Sequence, residues 1–151
     1  NIDETQVESA RKLALQSGLE KGRLTFVQRD YNLPFDFAAD ESLDAHFCAQ
    51  ACMFVTDKTL FMKHSARVLK KGARFYGLEW VQLPAYDASN ATHRQLVQHG
   101  ATILGTSMPG PISAWRDAFE ANGFKVVYIG HVRLAAAPQR ALPTRQLTDS
   151  S

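Results

Sequence analysis

The order of elements in this 151-residue chain predicts an α/β fold with a mostly parallel sheet. Three observations predict it. Short apolar runs alternate with segments of helical spacing. The helical segments open on capping residues and close on glycine, on a basic pair or on Asn-Gly. The length suits one domain with a sizeable core. In such sheets ligands bind outside the carboxyl ends of the strands. The residues that follow each strand are therefore the candidates for function.

Asp3 is a helix cap, and Gln6, three residues on, can answer it as in a capping box. Val7, Ala10, Leu13 and Ala14 keep helical spacing, and Gly18 fits the stop. Leu24 to Val27 reads as a short buried strand. Asp30 to Asp40 is turn-rich around Asn32-Leu33-Pro34. Leu43 to Ala51 reads as a second strand of small and apolar residues. Asp57 to Leu69 reads as a helix with Leu60, Phe61, His64 and Val68 on one side. Lys70-Lys71-Gly72 ends it, with cations near the C-terminus and then a glycine. Ala73 to Trp80 is the third strand. Asn90 or Thr92 opens a helix that runs to Leu104. Met108-Pro109-Gly110-Pro111 is a hard break. Ser113 to Ala121 is a helix with Trp115 and Phe119 one turn apart, closed by Asn122-Gly123. Phe124 to Ile129 is the fourth strand. The domain is expected over 1–137, followed by a polar tail over 138–151 without periodicity. The chain opens directly on a helix cap. A strand and a glycine-rich turn are expected upstream of it, from the same polypeptide or a second chain.

The composition, 45% hydrophobic and 21% charged, is that of an ordinary soluble globular protein. A net charge of +2, from 17 basic and 15 acidic residues, gives no electrostatic case for nucleic acid. No apolar run reaches the roughly 18–20 residues of a membrane helix, and no signal segment opens the chain. A cytoplasmic location is expected. Cys48 and Cys52 are the only cysteines. Two thiols make neither a disulfide framework nor a good metal site, so buried reduced thiols and no metal are expected. No nucleophile elbow, phosphate-binding loop or His-Glu-x-x-His site is present, which removes hydrolase, kinase and zinc-protease readings.

Asn1-Ile2 stands where a short polar residue can bond a ribose hydroxyl, or where a plain loop can run. After the first strand, Asp30 can accept from an amino group and Tyr31 can stack. The same pair also reads as a solvated turn beside a half-buried ring. After the second strand, Gln50 can hold a polar group. Phe54 can face a cation, an attraction of roughly 0.5–2 kcal/mol, or pack in the core. His46, inside that strand, reads as a satisfied core histidine. Glu79-Trp80 ends the third strand, and a carboxylate in that apolar setting is a functional candidate. Tyr86, Asp87, Asn90 and His93 follow in a loop and early helix.

Glu79-Trp80-Val81, Tyr86-Asp87, Asn90 and His93-Arg94 resemble a "Y-E-W-V … Y-D-x-x-N-x-x-H-R" segment. That segment belongs to the S-adenosylmethionine (SAM)-dependent methyltransferases that alkylate the side-chain double bond of sterols. Asn1-Ile2-Asp3 with Gln6 resembles the family's segment after its second strand. Val27-Gln28-Arg29-Asp30-Tyr31 resembles its "V-x-G-D-F" adenine segment, with Arg29 at the usual glycine. Val68-Leu69-Lys70-Lys71-Gly72-Ala73 resembles its "V-L-K-P-G-G" turn. The last three occur across class I SAM methyltransferases, and the match as a whole runs from about Asn1 to Ile129.

The resemblance implies a Rossmann-like, seven-stranded class I methyltransferase sheet with helices on both faces. It implies SAM as cofactor, held by Asn1, Ile2, Asp30, Tyr31, Cys48, Ala49 and Gln50. Phe54, Trp80 and Tyr86 would line the acceptor pocket. The implied reaction is methyl transfer to a carbon of a hydrophobic small molecule such as a sterol, terpenoid or related metabolite. Gln50 stands where sterol enzymes carry a glutamate, and Phe54 where they carry a histidine. Proton removal would then fall to Glu79 or His93. The family's glycine-rich loop is not in this chain, and its C-terminal region is not recognisable after His131. A fragment, a nicked enzyme or one piece of a two-chain protein is expected, as is the option of a homo-oligomer. Two rivals stand beside this reading. One is an O- or N-methyltransferase on the same scaffold. The other is a methyltransferase-like protein that binds ligand or catalyses a non-methylating reaction such as cyclisation.

Overall fold

The computed structural model describes residues 1–19, 22–106 and 109–130. The expected tail over 138–151 and Met108 of the Pro-Gly break lie outside the described residues. The described elements are α1 (Glu4–Gln16), β1 (Leu43–Ala49), α2 (Lys58–Val68), β2 (Leu69–Leu78), α3 (Ala91–Leu104) and α4 (Ile112–Ala121). β1 and β2 pair in parallel, and α2 is the crossover between them. Parallel neighbours need such a crossover because a tight turn cannot join them. Among the described residues the sheet has these two strands. The α/β class with parallel pairing is therefore what the structure has.

The helices begin where local chemistry predicts. Asp3 accepts from the Gln6 amide at 3.0 Å, and Asp57 accepts from the Leu60 amide at 2.9 Å. Asn90 accepts from the amides of Thr92 and His93. The capping box of α1 closes differently from expectation. The Gln6 side chain accepts from Asn1 Nδ2, and the Asp3 amide donates to Asn1 Oδ1. Gly18 turns the chain at φ +70° after α1, and Gly105 does so at φ +63° after α3.

Two expected strands do not form. Leu24 makes one bridge, and Thr25 to Asp30 run outside any strand. Their backbone is held by Asn1-Ile2 instead. The chain's first amino group donates to the Val27 carbonyl at 3.2 Å, and the Arg29 amide donates to the Asn1 carbonyl at 2.8 Å. Phe124 to Ile129 is irregular as well. Phe124 turns in against Phe119 and Phe75, while Val127 and Tyr128 are exposed. A strand is defined by its neighbour, and no described strand pairs with either segment.

Three strand boundaries also move, and one of them is the end of β2, at Leu78 rather than Trp80, so Glu79 and Trp80 follow the strand. β1 stops at Ala49 rather than Ala51, because Gln50 takes a left-handed φ of +51°. β2 starts at Leu69, so Lys70-Lys71-Gly72 belongs to the strand and not to a helix stop. The ladder slips between Leu43 and Ala45, and Gly72 sits in that irregular stretch with φ +80°.

The buried face of α2 is Phe61, Met62, Ser65 and Val68. Leu60 and His64, expected on that face, lie outside it; Met62 and Ser65 take their places. Ser65 is tolerated because its hydroxyl donates to the Phe61 carbonyl at 3.0 Å. Phe61 stands edge-on to Tyr31, Phe35, Phe75 and Trp115. Such pairs contribute about 0.5–1.5 kcal/mol each beyond the area they bury. α4 packs on α2 through Trp115 and Ala118, and Asn122 ties its end to the Thr59 carbonyl. Arg67 of α2 donates to the Phe35 and Ala38 carbonyls and pairs with Asp40, which fixes the turn-rich segment over β1. Among the described residues, no helix is long and apolar enough to cross a membrane.

Candidate active site

Parallel pairing brings the carboxyl ends of β1 and β2 to one edge. Cys48 lies opposite Gly77, and Ala49 opposite Leu78. The Gln50 amide donates to the Leu78 carbonyl at 2.7 Å, which extends the ladder by one bond. The left-handed Gln50 then turns the chain into a short 3₁₀ turn, Cys52–Phe54. This turn faces the first residue after β2, Glu79.

Glu79 is the organising side chain. Its Oε1 accepts from the Ala51 amide at 2.8 Å and the Cys52 amide at 2.7 Å. Cys48 Sγ stands 3.9 Å from the same oxygen. The other oxygen, Oε2, is buried and has no hydrogen-bond partner. No described protein group bonds that oxygen, which leaves it the free acceptor of the site.

The surrounding groups titrate accordingly. The Tyr31 hydroxyl donates to the Ala51 carbonyl. Its pKa is pushed up to about 12, first by burial and then by the negative charges of Cys52, Cys48, Glu79 and Asp30. Cys52 is 1% exposed, and its thiol is pushed well up, first by its hydrogen bond with Cys48 and then by burial. The same hydrogen bond pulls Cys48 down.

Asn32 ties the segment after Val27 to this turn. Its Oδ1 accepts from the Thr56 amide at 2.9 Å, and its Nδ2 donates to the Phe54 carbonyl at 3.3 Å. The signal was an asparagine between an Asp and a Pro turn, a residue type that bonds neighbouring backbone. Asp30 Oδ1 accepts from the Asn32 amide at 2.8 Å and from Asn32 Nδ2 at 3.0 Å. Asp30 also lines a cavity of about 200 Å³ with Ile2, Gln28, Arg29 and Leu33. Asn1 and Tyr31 border a second, larger cavity of about 500 Å³ with Phe35, Phe37 and His46.

The structure therefore brings Tyr31, Cys48, Gln50 and Glu79 together, with Ala49 beside them in β1. Asp30 joins them through Asn32, and Ile2 joins Asp30 at the small cavity. Phe54 and Trp80 follow the two strand ends and are 48% and 50% exposed. His93 belongs to a further group. Its Nδ1 accepts from the Asp87 amide at 3.1 Å, and its ring stacks on Tyr86 with centroids 6.3 Å apart. Hydrogen bonds from Ser89 hold the Asp87 carboxyl below its usual range. His46 departs from the expected satisfied histidine. It packs among Phe35, Phe61 and Phe75, but its Nδ1 has no partner, and burial lowers its pKa.

Comparison with known proteins places the chain in a family. The family model described as "Methyltransferase domain" matches residues 1–77, half of the chain. The chain is 30% identical to methyltransferase phqN of Penicillium fellutanum, over 99% of its own length and 44% of that protein. It is 31% identical to the sterol 24-C-methyltransferase erg6 of Aspergillus fumigatus, over 85% of this chain and 33% of that one. Its fold matches the YcgJ protein of Bacillus subtilis with a TM-score of 0.66 at 25% identity, over 81% of this chain and 49% of that one. The chain thus spans less than half the length of these relatives. With the matched residues running from α1 through the parallel pair to Gly77, the chain belongs to the methyltransferase domain family.

Proposed function

We propose that this chain contributes to SAM-dependent methyl transfer onto a hydrophobic small molecule, with carbon as the acceptor atom. One observation carries the reading: the buried, unpartnered Glu79 Oε2 at the paired strand ends, next to Tyr31 and the Gln50 turn. That is the edge at which an α/β sheet binds its ligand. Carbon is favoured by the sterol 24-C-methyltransferase among the relatives.

The residues present fit the adenosyl end of SAM. Ile2 and Asp30 line an open cleft of about 200 Å³, below the roughly 300–1,000 Å³ of a whole small-molecule site. In this reading Asp30 accepts from the adenine amino group, Tyr31 borders the ring, and Asn1, Cys48, Ala49 and Gln50 line the rest. SAM, when bound, supplies an electrophilic methyl group on its sulfonium. Phe54 and Trp80 offer half-exposed rings to a developing cation. Tyr86 borders the acceptor, and Glu79 or His93 receives the proton that leaves the methylated carbon.

The test is incubation of the longest natural form with methyl-labelled SAM and candidate sterols and terpenoids. Label on a product carbon is the expected result. Glu79 Oε2 also favours one rival, transfer to oxygen or nitrogen with Glu79 as general base; label on a heteroatom selects it. Product formed while SAM keeps its label overturns methyl transfer altogether.

A further inference from the structure

We infer that Cys48, Cys52 and Glu79 form a binding site for one thiophilic divalent cation, with zinc the best match. One ligand atom from each of the three lies within 4.8 Å of the others. A tetrahedral ion with bonds of about 2.3 Å to sulfur and 2.0–2.2 Å to oxygen holds such atoms about 3.5–3.8 Å apart. Cys48 Sγ stands 3.9 Å from Glu79 Oε1, the oxygen that the two amides hold, so the thiol already lies against the carboxylate whose Oε2 is left to ligate.

Three further features point to a ligand here. The Cys-x-x-x-Cys spacing is within the range of zinc sites, and the left-handed Gln50 folds the two sulfurs onto one side. Glu79 is pre-oriented: the Ala51 and Cys52 amides hold Oε1, which leaves the buried Oε2 without a partner. Ligating carboxylates are typically fixed by such outer hydrogen bonds. Cys52 is also shielded from solvent, at 1% exposed. Both thiols release their protons to solvent on binding, and two thiolates with one carboxylate leave the fourth position open to water; with the ion bound, Glu79 is its ligand and proton acceptance falls to His93.

The experiment uses the whole chain, reduced and freed of metal, without SAM or acceptor, so its outcome is separate from that of methyl transfer. Cobalt(II) is added as a spectroscopic stand-in. Thiolate-to-cobalt charge-transfer bands saturating at one equivalent are expected; their absence overturns the site. Zinc affinity is then measured against a chromophoric chelator. Cys48→Ser and Glu79→Gln should each weaken it at least tenfold. An unchanged affinity in either variant overturns the three-residue site, since that residue would then not be a ligand. If circular dichroism shows a variant unfolded, the cobalt spectrum of the unaltered chain decides.

Discussion

Glu79→Ala tests whether one carboxylate holds the two strand ends together. The substitution removes the acceptor of two backbone amides, those of Ala51 and Cys52. A buried donor left unpaired costs about 1–3 kcal/mol. Cys52 is sealed from water and pays that cost in full, while Ala51 is half-buried and recovers part of it from solvent. The loss should total about 2–4 kcal/mol. With a urea slope of about 2 kcal/mol/M, the unfolding midpoint should fall by about 1–2 M. Glu79→Gln is the control. It keeps an acceptor at Oε1 and removes a charge whose second oxygen has no partner. It should cost under about 1 kcal/mol, because neutral hydrogen bonds are weaker than charge-assisted ones but the buried charge is relieved. The assay is urea unfolding followed by far-ultraviolet circular dichroism, with a chelator present so that metal cannot shift the midpoint. A loss below about 0.5 kcal/mol for Glu79→Ala would refute the argument that an unpaired amide there is costly. Equal losses for the two variants would show that charge matters and acceptor geometry does not.

Met62→Ala, at a fully buried position of α2, should destabilise by about 2–5 kcal/mol in the same assay, and a loss under 1 would mean that the core there collapses freely. Asn90→Ala strips the cap from two amides of α3 and should cost about 1 kcal/mol, recovered in part by Asn90→Ser. Asp30→Ala in the longest natural form should weaken S-adenosylhomocysteine binding by about 1–3 kcal/mol in calorimetric titration; an unchanged affinity would remove Asp30 from the adenine site. Burial depresses the pKa of His46, so the unfolded chain binds its proton first as pH falls. Stability is therefore full above the unfolded value of 6.5 and is lost as pH drops through the folded value, with His64 acting in the same direction. Urea midpoints at pH 7.5 and 5.5 should differ, and His46→Phe should narrow the gap; an equal gap would assign it to other groups.

What was legible in this sequence follows from the range of the interactions involved. Asp3, Asp57 and Asn90 each act on amides two or three residues away, so the helix starts could be read from the letters alone. Leu24 to Val27 and Phe124 to Ile129 have the composition of strands, but a strand is completed by a partner far off in sequence. Here the first is held by Asn1-Ile2, and the second turns Phe124 into the core. The site divides in the same way. Glu79 was visible as a carboxylate after an apolar run. Its partners were not, because Cys48 lies 31 residues away and the Ala51 amide 28. Only the parallel register, with Ala49 opposite Leu78, brings them within bonding distance. Two cysteines judged alone are a poor metal site. The same two beside a carboxylate with a spare buried oxygen are a different chemical object, and the difference is carried by strand register. A one-residue slip of β2 against β1 would turn Glu79 to the other face of the sheet. It would strand the Ala51 and Cys52 amides and separate the sulfurs from their oxygen. The register of a single parallel pair therefore sets both the stability of the strand ends and the chemistry available there.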